Sequence, residues 1–435
     1  MKVLIACTPA TGHIDPMFSL GRLLTCAGHE VLGMSSTVMR DRILRSGASF
    51  RALPTAADLD LRDLAAAFPE YKSVKPGLEM SRFFLDRVFI DPIPAQYQGI
   101  RESLSEFPAD IILCDNFFYG ALPLLLGPRH ERPPIIVGGT MFLHYRRDDQ
   151  APNFIGLPPA SNESEQHEYA AIREAHDEAL YAPVRRHLAE VLAGLGVSPP
   201  AMDPHEAVIA LPDAYLQLTV PSFEFPRREL PASVHFVGCL PIIPNQAPIP
   251  PWAGDLDGSR KVVLVSQGTV SNHDFGQLVQ PTLSALENEP DVLVIVTTGG
   301  RPVSSIPHPI PTNARVAEYL PFDWLLPKVD VFVTNGGYGS VNQALSHGIP
   351  LVAAGLSEDK ADNNVRISWA GVGIDLRTRE PASSSLRSAI RAVLSEKVYR
   401  EKAGLMAEEF RRTDTQGYIL TLITRLAGSQ PETRV

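Results

Sequence analysis

The feature that most constrains this chain is a pattern that occurs twice: short apolar runs without polar alternation, each followed by a segment with apolar residues at helical spacing. Runs of this kind fit strands buried on both faces of a parallel sheet, with the intervening helices covering those faces. In the first half they fall at residues 3–7, 29–35, 110–114, 134–137 and 214–220, and in the second at 261–266, 291–297, 330–334 and 350–354. Residues 221–252 between the halves are rich in proline and poor in periodicity, which reads as a linker and a hinge. Residues 395–426 are helix-rich and close the second series. This organisation predicts an α/β protein of two doubly wound, Rossmann-like domains facing a cleft. The boundaries fall at 1–220 for the first domain, 221–258 for the linker, 259–410 for the second domain and 411–435 for a C-terminal helix. At 435 residues the chain is long for one core, which agrees with two.

The start of the first series is the most explicit. After the run at 3–7, a loop extends from Thr8 to Ile14, and Asp15 is the expected N-cap with Pro16 at the first helical position. Met17, Phe18, Leu20, Leu23, Leu24 and Ala27 follow at helical spacing until Gly28 supplies a stop.

Charge narrows the partners. With 39 Lys and Arg against 49 Asp and Glu, the net charge is −10, whereas nucleic acids and anionic membrane surfaces attract a positive field. No apolar run approaches the ~20 residues of a membrane span, and the run after Lys2 is too short for a secretory leader. Cys7, Cys26, Cys114 and Cys239 form no CxxC pair, and three lie in or beside apolar runs. They read as buried free thiols, in keeping with a reducing, cytoplasmic setting. In the charged helical segment 163–192, His167, His176 and His187 are spaced by nine and eleven residues, which gives no i, i+4 metal pair.

The segment richest in chemistry is the run at 330–334 followed by Asn335-Gly336-Gly337-Tyr338-Gly339-Ser340, with a helix beginning near Ser340. Glycines permit close backbone approach, and the free N–H groups at a helix start form a natural phosphate cradle. A tight strand-to-helix turn without a ligand has the same composition. No Lys-Ser/Thr pair closes the segment as in a P-loop, and it is not GxGxxG.

The same segment resembles the donor-binding signature of the UDP-glycosyltransferase superfamily, and the likeness extends along the chain. Asp359-Lys360, four residues before Asn363, stands where the family has an Asp-Gln pair, and Gly371-Val372-Gly373 matches a following Gly-x-Gly. Ser266-Gln267-Gly268-Thr269 resembles the family's Ser-x-Gly-Ser/Thr turn, residues 318–327 its base-reading loop, and Gly12-His13-Ile14-Asp15-Pro16 its Gly-His-x-x-Pro. The resemblance implies the GT-B fold and an inverting transfer of a sugar from a UDP- or TDP-linked donor to a hydroxyl of a small acceptor. His13 would be the general base and Asp115 would orient its imidazole. Gly12, Thr269, Pro321, Asn335, Gly336, Gly337, Gly339, Ser340, Gln343, Asp359 and Lys360 would line the donor site. In the family the helix N-terminus and side chains neutralise the leaving diphosphate, so neither a metal nor a further cofactor is implied. The triplets Asp58-Leu59-Asp60 and Asp255-Leu256-Asp257 are therefore read as loop acids. The C-terminal helix would pack back toward the first domain.

Three positions depart from the family: Asn335 replaces a common His, Lys360 a Gln, and Gln343 a frequent Glu. They leave the nucleotide and its sugar open, a thymidine-linked deoxysugar included. Two alternatives to transfer are a sugar-nucleotide epimerase of the same fold and a binding homologue without turnover. Aromatic residues in the variable stretches of the first half, with Phe84, Phe117, Phe118 and Phe142 as the candidates, suit a polyketide, macrolide or phenolic acceptor. Ordinary core packing explains any one of them equally well.

Overall fold

A computed structural model describes residues 1–241, 247–269, 272–307 and 309–428; part of the expected linker (242–246) and the end of the expected C-terminal helix (429–435) lie outside them. The first half builds a seven-stranded parallel sheet from β1 (Lys2–Ala6), β2 (Glu30–Ser35), β3 (Ser49–Ala52), β4 (Ile111–Asp115), β5 (Ile135–Gly139), β6 (Ala214–Gln217) and β7 (Val234–Phe236), in the order β3-β2-β1-β4-β5-β6-β7. The second half builds a six-stranded parallel sheet from β8 (Lys261–Ser266), β9 (Val292–Thr297), β10 (Ala314–Ala317), β11 (Val331–Thr334), β12 (Leu351–Ala353) and β13 (Gly373–Asp375), in the order β10-β9-β8-β11-β12-β13. The central strands are buried on both faces, which is why their sequences are unbroken apolar runs.

Each sheet reverses its winding next to its first strand. Ala6 of β1 pairs with Cys114 of β4, and Ser266 of β8 pairs with Thr334 of β11. Crevices at the carboxyl ends of such strand pairs are where doubly wound sheets bind ligands. The residues that emerge there are 7–13 and 116–119 in the first sheet, and 267–269 and 335–337 in the second.

Two local expectations are corrected. The first helix spans Thr11–Cys26, so Asp15 is not its N-cap and Pro16 lies inside it. Proline lacks only the N–H that would reach Gly12, and the preceding turn closes on Ala10, whose carbonyl accepts from His13 and Ile14 at 2.9 Å each. Asp15 instead pairs with Arg42 at 2.7 Å. The second correction concerns the linker, because β7 lies within 221–258 and pairs with β6 in the first sheet. A three-residue strand at a sheet edge tolerates nearby prolines, since its outer side needs no ladder partner.

The helix Thr415–Gly428 buries Ile419, Leu422 and Ile423 in a cluster that includes Val3, Ile5, Ile111 and Leu113 of the first sheet. Cys7 and Cys114 are buried, Cys239 is partly buried and Cys26 is exposed.

Candidate active site

The site begins where β1 ends. Because the first helix starts at Thr11, His13 sits in its first turn, at the carboxyl edge of the first sheet. Its Nδ1 lies 2.8 Å from Asp115 Oδ1 and 3.0 Å from the Thr140 hydroxyl. Thr140 follows β5 and is held by Asn116, whose side-chain oxygen accepts from the Thr140 backbone N–H at 3.0 Å and from its hydroxyl at 2.8 Å. With Nδ1 occupied, Nε2 is the ring nitrogen available to a substrate. The edge of the Phe117 ring closes one side of the imidazole, with centroids 5.5 Å apart.

Asp115 is fully buried. Burial works to raise its pKa, but the His13 imidazole and the backbone N–H groups of Thr8 (2.7 Å) and Phe117 (3.0 Å) outweigh it and hold the carboxyl below its ordinary value. The group is thus a fixed carboxylate aimed at Nδ1.

The second half supplies three converging segments. Gly336 takes the left-handed conformation at φ +99°, and the helix Tyr338–Ser346 begins directly after Gly337. By helix geometry the first-turn N–H groups of Tyr338, Gly339 and Ser340 have no carbonyl one turn back. Asn335 Nδ2 donates to Gln267 O at 2.7 Å, so this side chain is a brace between the β8 and β11 loops. Asn363 Nδ2 donates to both Gly336 O and Asp359 Oδ2 at 2.8 Å, which joins the glycine turn to the start of helix Lys360–Trp369.

Asp359 lies within electrostatic reach of His13. Its removal from solvent pushes its pKa up to about 6 against the opposing pull of Asn363 and His13. Lys360 is buried and ion-paired with Glu358, and burial lowers its ammonium to about 8. A small, partly open pocket beside the turn is lined by Gln267, Asn335, Gly355, Ser357, Lys360 and Arg379.

The remaining expected residues divide. Gly12 and Thr269 are exposed at the two switch points, Ser340 and Gln343 are half-buried on helix Tyr338–Ser346, and Pro321 follows β10, separated from the β8–β11 crevice by β9. Among the acceptor candidates, Phe117 alone packs on the base, backed by Phe89 at 4.4 Å. Phe118 is wholly within the core, Phe142 is fully buried under the Arg366 guanidinium at 4.4 Å, and Phe84 belongs to a separate cluster with Tyr71 and Phe83. Phe118 and Phe142 have no surface to offer an acceptor, because core packing has claimed it. The acidic triplets are engaged locally: Asp58 accepts from Thr37, Asp60 pairs with Arg62, Asp255 with Arg315, and Asp257 accepts from Ser259. Sequence reasoning did not find Thr140 or Asn116; only the adjacency of Asn116 to Asp115 hinted at the latter.

Comparison with known proteins identifies the family and the fold. The family described as "Erythromycin biosynthesis protein CIII-like, C-terminal domain" matches residues 282–416. The chain is 37% identical to 4'-demethylrebeccamycin synthase of Lentzea aerocolonigenes, over 95% of this chain and 96% of that protein. It is 33% identical to UDP-glycosyltransferase 2 of Phaeomoniella chlamydospora, over 98% and 96% respectively. The crystal structure of the glycosyltransferase of kitacinnamycin superposes with a TM-score of 0.74 at 21% identity, covering 98% of this chain and 99% of that one. The chain therefore belongs to the UDP-glycosyltransferase superfamily, as a GT-B glycosyltransferase of the natural-product type that uses nucleotide sugars.

Proposed function

We propose that the chain transfers a sugar with inversion from a UDP- or TDP-linked donor to a hydroxyl of a small hydrophobic acceptor, with His13 as general base. The observation that carries this reading is the pair His13 Nδ1–Asp115 Oδ1 at 2.8 Å, which leaves Nε2 to take a proton. As the acceptor oxygen attacks the anomeric carbon, its proton passes to Nε2 and the bond from that carbon to the diphosphate oxygen breaks. The buried Asp115 carboxylate stabilises the imidazolium that forms. A single displacement on the face opposite the leaving group inverts the anomeric centre.

Charge on the departing diphosphate is met by the N–H groups and dipole of helix Tyr338–Ser346, with Lys360 as a nearby cation; this leaves no step that requires a metal or further cofactor. Asp359 accepts hydrogen bonds from sugar hydroxyls. Phe117 and Phe89 form an apolar wall beside the base, suited to a polyketide, macrolide or phenolic acceptor. No helix among the described residues is long and apolar enough to cross a membrane, and the free thiols fit a cytoplasmic enzyme.

Calorimetry with UDP, TDP and GDP, first with a chelator and then with magnesium, tests the donor site. Micromolar, metal-independent binding of UDP or TDP is expected, and failure of both to bind would overturn the reading. Ser340→Pro removes one first-turn N–H without breaking an internal helix bond. It should weaken the diphosphate by about 10-fold or more, as loss of a hydrogen bond to a charged group requires. Unchanged affinity would remove that helix start from the phosphate site.

Donor binding should also depend on pH. Below about 6 Asp359 gains a proton and accepts from sugar hydroxyls only as a weaker, neutral carboxyl, and above about 8 Lys360 loses the charge that attracts the diphosphate. Affinity for UDP-glucose or TDP-glucose, whichever binds, should therefore be greatest between these values and fall on both sides. Lys360→Gln should abolish the alkaline fall alone; its persistence would show that another group titrates.

A further inference from the structure

Arg366 is the largest fully buried side chain among the described residues, and nothing in the transfer chemistry uses it. Its guanidinium lies between the rings of Phe142 (4.4 Å), from the first half, and Phe225 (4.1 Å), from the segment that joins β6 to β7. Nε donates to Glu224 Oε2 at 3.0 Å, and Nη1 donates to the Asp362 carbonyl at 2.9 Å. Glu224 uses its other oxygen to accept from the Leu143 N–H at 2.8 Å, and Asp362 accepts from the Gly156 N–H at 3.0 Å. Buried charges are held at a desolvation cost and survive only when paired and hydrogen-bonded, so this arrangement has little freedom to drift.

Both ends of the network lead to the reaction centre. Toward the first half, Leu143 follows Thr140, whose hydroxyl contacts His13. Toward the second, Arg366 and Asp362 lie on the helix Lys360–Trp369, which begins at Asp359 and Lys360. Arg366 stands two turns from Asp359, about 10 Å at 1.5 Å per residue. A second tether, Gln217 Nε2 to Tyr338 Oη at 2.6 Å, joins the other donor helix to the first half independently of Arg366.

We infer that Arg366 is a positioning residue for sugar transfer: by locking helix Lys360–Trp369 to Glu224, it sets the placement of Asp359 and Lys360 relative to His13. The inference rests on the reading that the cleft between His13 and Asp359 is the transfer site. The nucleotide cradle at 335–340 lies on different elements, and the charge of Lys360 attracts the diphosphate over a longer range than the hydrogen bonds Asp359 makes to the sugar, so a small shift of this helix should cost turnover more than nucleotide binding.

Arg366→Met keeps the bulk between the two rings, and Arg227, 4.0 Å from Glu224, remains as a counter-charge. Turnover is read as nucleoside diphosphate released from UDP-glucose or TDP-glucose in the presence of 2-naphthol, which counts transfer and hydrolysis together. Arg366→Met should lower kcat by 10- to 100-fold, the scale of a misplacement of about 1 Å, while the Kd for UDP or TDP stays within about 3-fold. Glu224→Gln, which retains shape, should lower kcat by about 10-fold with the same Kd, and it carries the test if Arg366→Met does not fold. The double variant should lose no more than the worse single one, because both cut one tether. Turnover within 2-fold of the parent, loss of Kd in parallel with kcat, or multiplicative losses would each overturn the inference. His13→Ala in the same assays separates the two readings: full activity there sinks the general base alone, and full activity in Arg366→Met sinks the positioning role alone.

Discussion

Replacing His13 by alanine should slow nucleoside diphosphate release by ~10²-fold or more while leaving the Kd for UDP or TDP within about 3-fold. The magnitude is that of a lost general base, about 2.7 kcal/mol or more of transition-state stabilisation. The affinity is spared because the proposed diphosphate cradle stands on helix Tyr338–Ser346, in the other half of the molecule. The fold should be spared as well, since His13 is partly exposed and its removal opens no core cavity. Asp115→Asn sharpens the test. The amide keeps the 2.8 Å geometry but loses the charge that stabilises the imidazolium, and it can donate to Nδ1 and so favour the wrong tautomer. Its loss of rate should approach that of His13→Ala, and the double variant should be little worse than either, as expected for residues that act as a unit. A His13→Ala enzyme with undiminished turnover would leave the acceptor to deprotonate by another route.

How much of this could be read from residues alone depends on the range of the interaction. The two sheets were legible because parallel strands buried on both faces must be uninterrupted apolar runs, and β1, β4, β8, β9 and β11 are such runs. The glycine turn was legible because Gly336 needs a left-handed backbone and because a helix follows at once. The start of the first helix was misplaced at Asp15, since Asp-Pro is a strong local start signal and nothing in the sequence reveals that Ala10 closes an earlier turn. β7 was hidden for a similar reason: three half-buried residues at a sheet edge carry no periodicity. Phe117 and Phe118 follow β4 in a loop with no repeat to decide which ring enters the core, and the structure turns Phe118 inward and Phe117 toward His13. Thr140 with His13 and Glu224 with Arg366 are separated by 127 and 142 residues, so only the sheet topology brings them together.

Gly336→Ala should destabilise the second half and abolish measurable nucleotide binding, for reasons that neighbouring glycines do not share. At φ +99° an L side chain is strained by about 1–3 kcal/mol. A Cβ there would also overlap the Asn364 side-chain amide. That amide cannot swing aside freely, because Nδ2 donates to Gly355 O at 3.0 Å. Displacing it leaves a buried polar group unsatisfied, at a further cost of about 1–3 kcal/mol. The sum is large against the stability of an ordinary domain, and the strain falls on the turn that feeds helix Tyr338–Ser346. Gly337 is the control, since its φ is −61° and an added Cβ would have nothing within 4 Å. Gly337→Ala should therefore melt within about 1 °C of the parent, a shift of only a few tenths of a kcal/mol. If a phosphate sits against this backbone, Gly337→Ala will still weaken UDP or TDP by about 10-fold, through contact with the ligand alone. Melting curves and calorimetry on both variants separate the two effects. A stable Gly336→Ala protein would mean that the turn relaxes around the new methyl. An unchanged nucleotide affinity in Gly337→Ala would place the diphosphate away from the glycine turn and on the cavity beside Lys360.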